Sequence, residues 1–448
     1  MERLAGSQVA TRDARWQGSL DLIAEMRRQP GITRAEAARR RGLSSGSATD
    51  IVSRLRRLAL VDEVSAPSRT RGRPTSMLVP HPNGPLVLAI ELRRNGWRST
   101  YAAIDGEPVP LQSGALADQA PGRVVSRLAR AVEGAQRRFG MRLRAASVAA
   151  AAVVQGSRVV QFDTLGWEDV DLAGIVPDDL PLLVGNDATL AGVAEARRGA
   201  SSAAGTSLHL AVAVGIGGIL VVDGVPVAGA TGAGGEYGHL PFGDPSRQCH
   251  CGASGCWDLE VDGRELARLL GDAAPADPYR YTSDVLAAAA GGDDRAQAAV
   301  AQVASALGRG VAGLVNAHDA EVVTLGGLGP PLLAAAEEAF ESSYLHGLMR
   351  FRRRSPPPVL PAAYTDDGPL RGAIELALDV VLSESGLSSW SAEQGPVPVR
   401  QLDGGRPPRP GTGSSPLARS DEHRSDARDG PPAGARPSRS RTAVGRGS

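Results

Sequence analysis

The sequence predicts an α/β protein in which a winged helix-turn-helix at the N terminus precedes a larger core of alternating strands and helices. Two observations carry this. Residues 34–58 read as two short helices joined by a glycine turn, inside a basic stretch. From residue 81 to about residue 385, apolar strand-like runs alternate with helical patterns. A third observation points to a metal: all three cysteines of the 448-residue chain lie between Cys249 and Cys256.

Length allows about three domains. The boundaries expected are residues 1–64 for the winged helix-turn-helix, 65–80 for a basic linker, 81–385 for the core and 386–448 for a tail. Net charge is zero but unevenly spread: residues 1–75 hold 15 arginines against 8 acidic residues. A basic end implies an anionic partner. No run of eighteen apolar residues and no signal-peptide core is found, so no membrane partner is expected. Reduced, metal-spaced cysteines suit a cytoplasmic location.

The first helix reads from Trp16 to Arg28, with Leu20, Ile23, Ala24 and Met26 on its apolar face, and Pro30-Gly31 ends it. Thr33 followed by Glu36 is a capping box for a helix over 34–40. Gly42 turns the chain and Leu43 anchors it. Ser44 caps a third helix to about Leu58, with Ile51, Val52, Leu55 and Leu58 inward. Val61–Val64 and Met77–Val79 supply two wing strands. This reading puts Ser45, Ser47, Thr49 and Asp50 at the exposed start of a recognition helix, within reach of base edges or phosphates of double-stranded DNA. Asp50 there needs a cytosine amine or an arginine to accept from. Arg54, with Arg56 and Arg57, would meet or flank the backbone. A plain three-helix bundle with solvated arginines is the alternative. In the linker, Arg71-Gly72-Arg73-Pro74 has the form of an AT-hook core, which lays its arginines in a narrow minor groove; the other reading is a spacer.

Strands are expected at Leu86–Glu91, Val148–Val154, Leu182–Val184 and Leu208–Val214. Helices are expected at Val124–Phe139, Ala188–Arg198, Ala298–Ala317 and Leu332–Leu345. The cysteine stretch runs GGEYGHLPFGDPSRQCHCGASGCWD over 234–258. His239, Cys249, Cys251 and Cys256 make one imidazole and three thiols, a tetrahedral zinc set. Gly252 and Gly255 allow the tight turn. Four protein ligands close the coordination shell, so the zinc is read as structural. His250 is a spare ligand, sterically awkward between two others. Glu236, His239 and Asp258 are polar groups held beside the metal, suited to a polyhydroxylated ligand such as a sugar.

GEYGH at 235–239 and CHCGASGCWD at 249–258 resemble the signature of the ROK family (repressors, open reading frames and sugar kinases), with Asp258 where the family usually carries Glu. The resemblance implies a two-lobed actin-like (ribonuclease-H-like) ATPase fold with a sugar cleft between the lobes, and it runs from about residue 16. The family's first phosphate segment, DxGGT, corresponds to Glu91-Leu92-Arg93-Arg94-Asn95-Gly96, where bulky arginines stand in place of glycines. The second, GTGIGGG, corresponds to Ala213–Ile219, with Val214 for the threonine. Both changes oppose phosphoryl transfer. Gly185-Asn186-Asp187-Ala188 resembles the family's ND corner, which implies sugar contacts from Asn186 and Asp187; in kinases of the family that aspartate is the general base. Read without the resemblance, Asp187 is an N-cap. Thr164-Leu165-Gly166-Trp167 resembles the NLxW segment, with Thr164 a further sugar contact and Trp167 either core or cleft wall. The resemblance implies a homodimer or homotetramer repressing carbohydrate genes under control of a sugar. An ATP-dependent sugar kinase with an added DNA-binding arm, or a scaffold whose arm binds protein, are the rivals. Residues 386–448 are rich in Pro, Gly, Ser and Arg and read as disordered.

Overall fold

Two serine/threonine caps open the N-terminal helices. In the computed structural model, which describes residues 3–65 and 76–394, with side chains from residue 16, α1 (Arg3–Arg28) precedes α2 (Arg34–Arg40) and α3 (Ser45–Arg57). Thr33 Oγ1 accepts from Glu36 N at 3.2 Å and Ser44 Oγ from Ser47 N at 3.1 Å. The Glu36 carboxylate turns to Arg39 and Arg40, so the side chain serves charge pairing on its own helix. β1 (Val61–Ser65) pairs antiparallel with β2 (Ser76–Pro80), Val61 opposite Pro80. The second strand therefore occupies the end of the stretch expected to be linker. Arg71 and Arg73 lie outside the described residues.

The core begins with β3 (Leu86–Arg93), β4 (Gly96–Ala102) and β5 (Val109–Ala115), then α4 (Pro121–Phe139) and β6 (Leu143–Ala150). A small sheet of β7 (Val153–Gln155), β8 (Arg158–Phe162) and β9 (Trp167–Asp171) follows, so the strand expected over 148–154 is two. β10 (Leu182–Asn186) leads into α5 (Asp187–Arg198). The second half carries β11 (Thr206–Ala213), β12 (Gly215–Val222) and β13 (Val225–Pro226), then α6 (Gly263–Leu270), α7 (Pro278–Ala290) and α8 (Asp294–His318). β14 (Val322–Gly327), α9 (Gly329–Ala335), α10 (Glu337–Gly347), β15 (Val359–Pro361), α11 (Gly368–Val381) and α12 (Glu384–Glu393) complete it.

Both five-stranded sheets repeat one plan. The first has order β10-β6-β3-β4-β5 and the second β13-β12-β11-β14-β15. In each, a leading strand pairs antiparallel with the next strand in sequence and parallel with a later one. Parallel strands need helical crossovers, and these supply the helices on the sheet faces. α5 packs between the halves. Gly372 of α11 brings that helix against the Leu190 carbonyl, and a Cβ at Gly217 of β12 would meet Ala188 Cβ at 2.8 Å. One expected helix is two here: the chain breaks at Ala336 between α9 and α10. α10 then crosses α8 at Gly308, where a Cβ would stand 2.5 Å from the Phe340 carbonyl.

α8 is long and apolar enough to cross a membrane by length and composition. In this fold Val300, Val303, Leu307, Val311 and Val315 are buried at the centre of the second core.

The tail expected to be disordered from residue 386 instead begins as helix. Ser383 Oγ caps α12 by accepting from Gly386 N at 3.0 Å, and Leu387 and Trp390, three residues apart, share one buried face. Local Ser and Gly content hides that pair in the sequence. Trp390 Nε1 donates to the Leu58 carbonyl at 2.7 Å, Trp16 Nε1 donates to Ser388 Oγ at 3.2 Å, and Arg144 pairs with Glu393 at 2.6 Å. α12 thus ties the core to the three-helix arm, and Trp16, Leu55, Leu60 and Trp390 share a hydrophobic cluster with Leu370 and Ile374 of α11. Residues 395–448 lie outside the described residues.

Trp390 is 3% exposed. Trp390→Ala is expected to destabilise the fold by about 3–5 kcal/mol, measured as a lowered denaturation midpoint in urea. A loss under about 1 kcal/mol would contradict the assigned role of α12.

Candidate ligand cleft and metal knuckle

Two positive-φ glycines, Gly252 (φ 93°) and Gly255 (φ 73°), fold the cysteine stretch back on itself. Cys249 N donates to the Ala253 carbonyl and Gly252 N to the Cys249 carbonyl. The result gathers one ligand atom each from His239, Cys249, Cys251 and Cys256 within 4.8 Å of one another. Cys251 Sγ lies 3.6 Å from Cys256 Sγ, and Cys249 Sγ 3.9 Å from His239 Nδ1. Tetrahedral zinc–sulfur bonds of about 2.3 Å imply sulfur–sulfur edges of about 3.8 Å, so the four groups fit such an ion. His250 Nδ1 also approaches Cys249 Sγ (3.7 Å), but its ring is exposed and its Nε2 stands 3.8 Å from Asp163 Oδ2. Burial, then the neighbouring thiols, push the Cys256 thiol up to about 12, whereas the Ala253 backbone N–H leads in drawing Cys251 down. A metal ion bound there would displace the thiol protons.

The polar groups beside the knuckle form one cluster. Asp258 is buried; its Oδ1 accepts from Ile216 N at 2.7 Å and its Oδ2 lies 3.8 Å from His239 Nδ1. Much of this short carboxylate is thus engaged by the backbone of the second glycine segment. Burial raises the Asp258 and Glu236 carboxyls above the usual range, and for Glu236 the charges of Asp258 and Asp163 add to the rise while His239 opposes it. Asp163, next to Thr164, was passed over in sequence, although it belongs to the same segment. Thr164 is exposed. Trp167 is core: it is 2% exposed, and its Nε1 donates to the Gln119 carbonyl at 2.7 Å.

At the strand-to-helix corner, Asn186 rather than Asp187 caps α5. Its Oδ1 accepts from Thr189 N (3.0 Å) and its Nδ2 donates to the Ala152 carbonyl (3.2 Å). Asn186 therefore holds the corner, and Asp187 is the corner's free-standing carboxylate, bonded only by its neighbour Ala188 N at 2.8 Å among the hydrogen bonds described. Burial pushes the Asp187 carboxyl up to about 6; Ala188 N opposes the rise, the buried Glu91 charge adds to it and Arg93 subtracts.

The stretch that resembles the family's first phosphate segment carries an ion-pair group. Glu91, 4% exposed, accepts from Arg93 Nε at 2.8 Å and from Arg98 Nε at 2.5 Å. Arg93 also reaches the Asp366 carbonyl (3.0 Å) and Arg98 the Asp367 carboxylate (3.0 Å), where the chain crosses from β15 to α11. In the second segment, the glycines are explained by packing. Gly217 faces Ala188, and a Cβ at Gly218 would stand 2.5 Å from the His209 carbonyl. This segment links the two polar groups, touching α5 through Gly217 and Asp258 through Ile216 N.

In the arm, Ser45, Ser47, Thr49 and Asp50 are all exposed along the first turns of α3. Arg54 differs: its guanidinium stacks 4.2 Å over the Trp16 ring, half-buried, because Trp16 lies across the inward side of that turn.

Paired sheets of matching topology flanking an acidic corner define a two-lobed α/β core of the actin-like kinase type. The chain belongs to the ROK family, whose model matches residues 109–380. It is 29% identical to a glucokinase of Halalkalibacterium halodurans over 197 residues, 40% of this chain and 60% of that one. It is 28% identical to a xylose repressor of Caldicellulosiruptor bescii over 185 residues, 38% of this chain and 46% of the repressor. The chain thus matches about half the length of these relatives. The crystal structure of a ROK family transcriptional regulator, a homolog of the E. coli MLC protein, superposes with a TM-score of 0.67 at 21% identity, over 84% of this chain and 98% of that one.

Metal analysis of the purified chain is expected to find one ion per chain, lost in Cys256→Ser, and chelation is expected to lower Tm by about 5 °C or more; a stable, metal-free wild type would contradict the fit. Asp187 has a folded pKa above its unfolded value, so its contribution to stability is complete below about pH 4 and lost as pH rises through about 6. Asp187→Asn is accordingly expected to stabilise the protein by roughly 1–3 kcal/mol at pH 8 and to give no such gain at pH 4, read from urea denaturation at both pH values.

Proposed function

We propose that this chain is a sugar-responsive, DNA-binding transcription regulator that represses carbohydrate uptake or catabolism genes and transfers no phosphoryl group. The observation that carries the reading is the Glu91–Arg93–Arg98 ion-pair group in the first phosphate segment. In the family's kinases the corresponding segment offers open backbone amides to ATP, and the charged side chains of Arg93 and, from the facing strand, Arg98 oppose that use. The sugar side keeps its chemistry. Asp187 and Glu236 supply acceptors for hydroxyl groups and His239 supplies a ring nitrogen, with Asn186 fixing the corner and Asp258 and Thr164 at its margins. A zinc ion on His239, Cys249, Cys251 and Cys256 would set the His239 tautomer and hold the turn that presents Glu236.

α2 and α3, joined by a short turn, with the β1–β2 pair behind them, are the parts of a winged helix-turn-helix. Ser45, Ser47, Thr49 and Asp50 line the face that enters the major groove. Arg71 and Arg73 fall in sequence between the two wing strands, suited to the adjacent minor groove. A symmetric dimer or tetramer would match paired half-sites, and closure of the lobes on a sugar would change the spacing of the two arms. Similarity to xylose repressors supports this reading. Work on DNA, a sugar and reduced thiols suits the cytoplasm.

A sugar kinase is the second reading. It is favoured by similarity to glucokinases and by Asp187, whose raised carboxyl pKa of about 6 is apt for a general base. Two experiments separate the readings. With ATP and glucose, xylose or N-acetylglucosamine, no sugar-dependent ADP release is expected; turnover that Asp187→Asn abolishes would reverse the assignment. In gel shifts on DNA upstream of its own gene, Arg73→Ala is expected to weaken binding to every sequence and to reduce the salt slope by about 1. Changes at Ser47 or Thr49 are expected to alter sequence preference; uniform effects from both classes would contradict the groove assignment.

A further inference from the structure

We propose that Glu375 is the residue through which occupancy of the sugar cleft reaches the DNA-reading helices, an inference that rests on the sugar-responsive reading above. Glu375 is 3% exposed, on α11. Three guanidinium groups surround its carboxylate. Arg27, at the end of α1, places Nη2 2.5 Å from Oε2. Arg197 and Arg198, the last two residues of α5, stand 3.7 Å from Oε2 and 3.6 Å from Oε1. α1 belongs to the arm and α5 to the core, so one buried carboxylate joins the two.

The other end of α5 is the candidate sugar corner, Asn186-Asp187. The helix is short, and Leu190, Gly192, Val193 and Ala194 are buried along it. It transmits displacement as a rod, because the Gly372 contact on one side and the Gly217 contact on the other leave no slack. Its terminal arginines report on different halves of the core. Arg197 Nε donates to the Gly224 carbonyl, in the β12–β13 turn of the second sheet, at 2.9 Å. Arg198 Nη1 donates to the Asp105 carbonyl, in the β4–β5 connection of the first, at 2.8 Å, and Arg198 also pairs with Glu107. A rotation of one sheet against the other therefore changes how the two arginines share Glu375. Arg27 competes for that carboxylate. Any redistribution alters the hold on the end of α1, which the turn at 29–33 connects to α2. A buried carboxylate amplifies such changes, since each guanidinium is expensive to leave uncompensated in a medium of low dielectric.

The proposal assigns a positioning role, separate from either binding surface, and its readout is a ratio. Operator affinity is measured with and without saturating sugar, using glucose, xylose and N-acetylglucosamine as probes and upstream DNA as target. Sugar affinity is measured alongside by calorimetry. Glu375→Gln and, separately, Arg27→Gln are expected to keep both individual affinities within about threefold of wild type. The factor by which sugar changes operator affinity, commonly about 5–150-fold in coupled systems, is expected to fall to within about twofold of unity. Arg27→Gln leaves the three core groups in place, so it tests the relay if Glu375→Gln fails to fold. Asp379→Ala removes another partner of Arg197, held at 2.9 Å on the same helix, and is expected to leave the ratio intact. An unchanged ratio in Arg27→Gln, or an equal loss in Asp379→Ala, overturns the relay alone. A wild-type chain whose DNA binding ignores all three sugars overturns the relay together with the reading beneath it.

Discussion

Close approach of backbones around α5 is the constraint on which the molecule depends. Leu190 offers its carbonyl to the space left by Gly372, and Ala188 fills the space left by Gly217. A side chain at Gly372 would push α5 off α11, and one at Gly217 would push it off β12. Because both contacts are made, α5 is wedged between α11 and β12, with the acidic corner at its start and Arg197 and Arg198 at its end.

An ion-pair group occupies the end of β3 and the facing strand β4. A buried Glu91 costs free energy unless it is paired, and Arg93 and Arg98 supply that pairing. The same arginines reach Asp366 and Asp367 and so brace the crossing into α11. Asp187 feels this group, its carboxyl raised by burial and by Glu91 and moderated by Arg93. In the second glycine segment, Ala188 packs against Gly217, Tyr237 against Gly218 and Asp258 against Gly215.

Besides the Trp390–Leu58 and Trp16–Ser388 hydrogen bonds, two further contacts fasten the arm to the core. One is apolar, with Trp16, Leu55, Leu60 and Trp390 sharing a cluster with α11. The other is ionic, through Arg27 and Glu375. The first resists separation and is insensitive to geometry; the second depends on distance and direction.

Much of this was legible in the sequence because it is local. Caps at Thr33 and Ser44, strand and helix periods, and the spacing of His239, Cys249, Cys251 and Cys256 each depend on neighbours a few residues apart. Other features needed the tertiary structure, because their partners are distant in the chain. Asp163 joins Glu236 and His250 only when the small sheet meets the knuckle. Arg54 leaves the exposed face because Trp16 lies under it. Trp390 turned a Ser-rich stretch into a buried helix by finding Leu58, 332 residues earlier, and Glu375 acquired three arginines from two helices. Local spacing determines which elements form and which atoms can share a metal; burial and pairing across the chain decide which of those side chains remain free for a ligand.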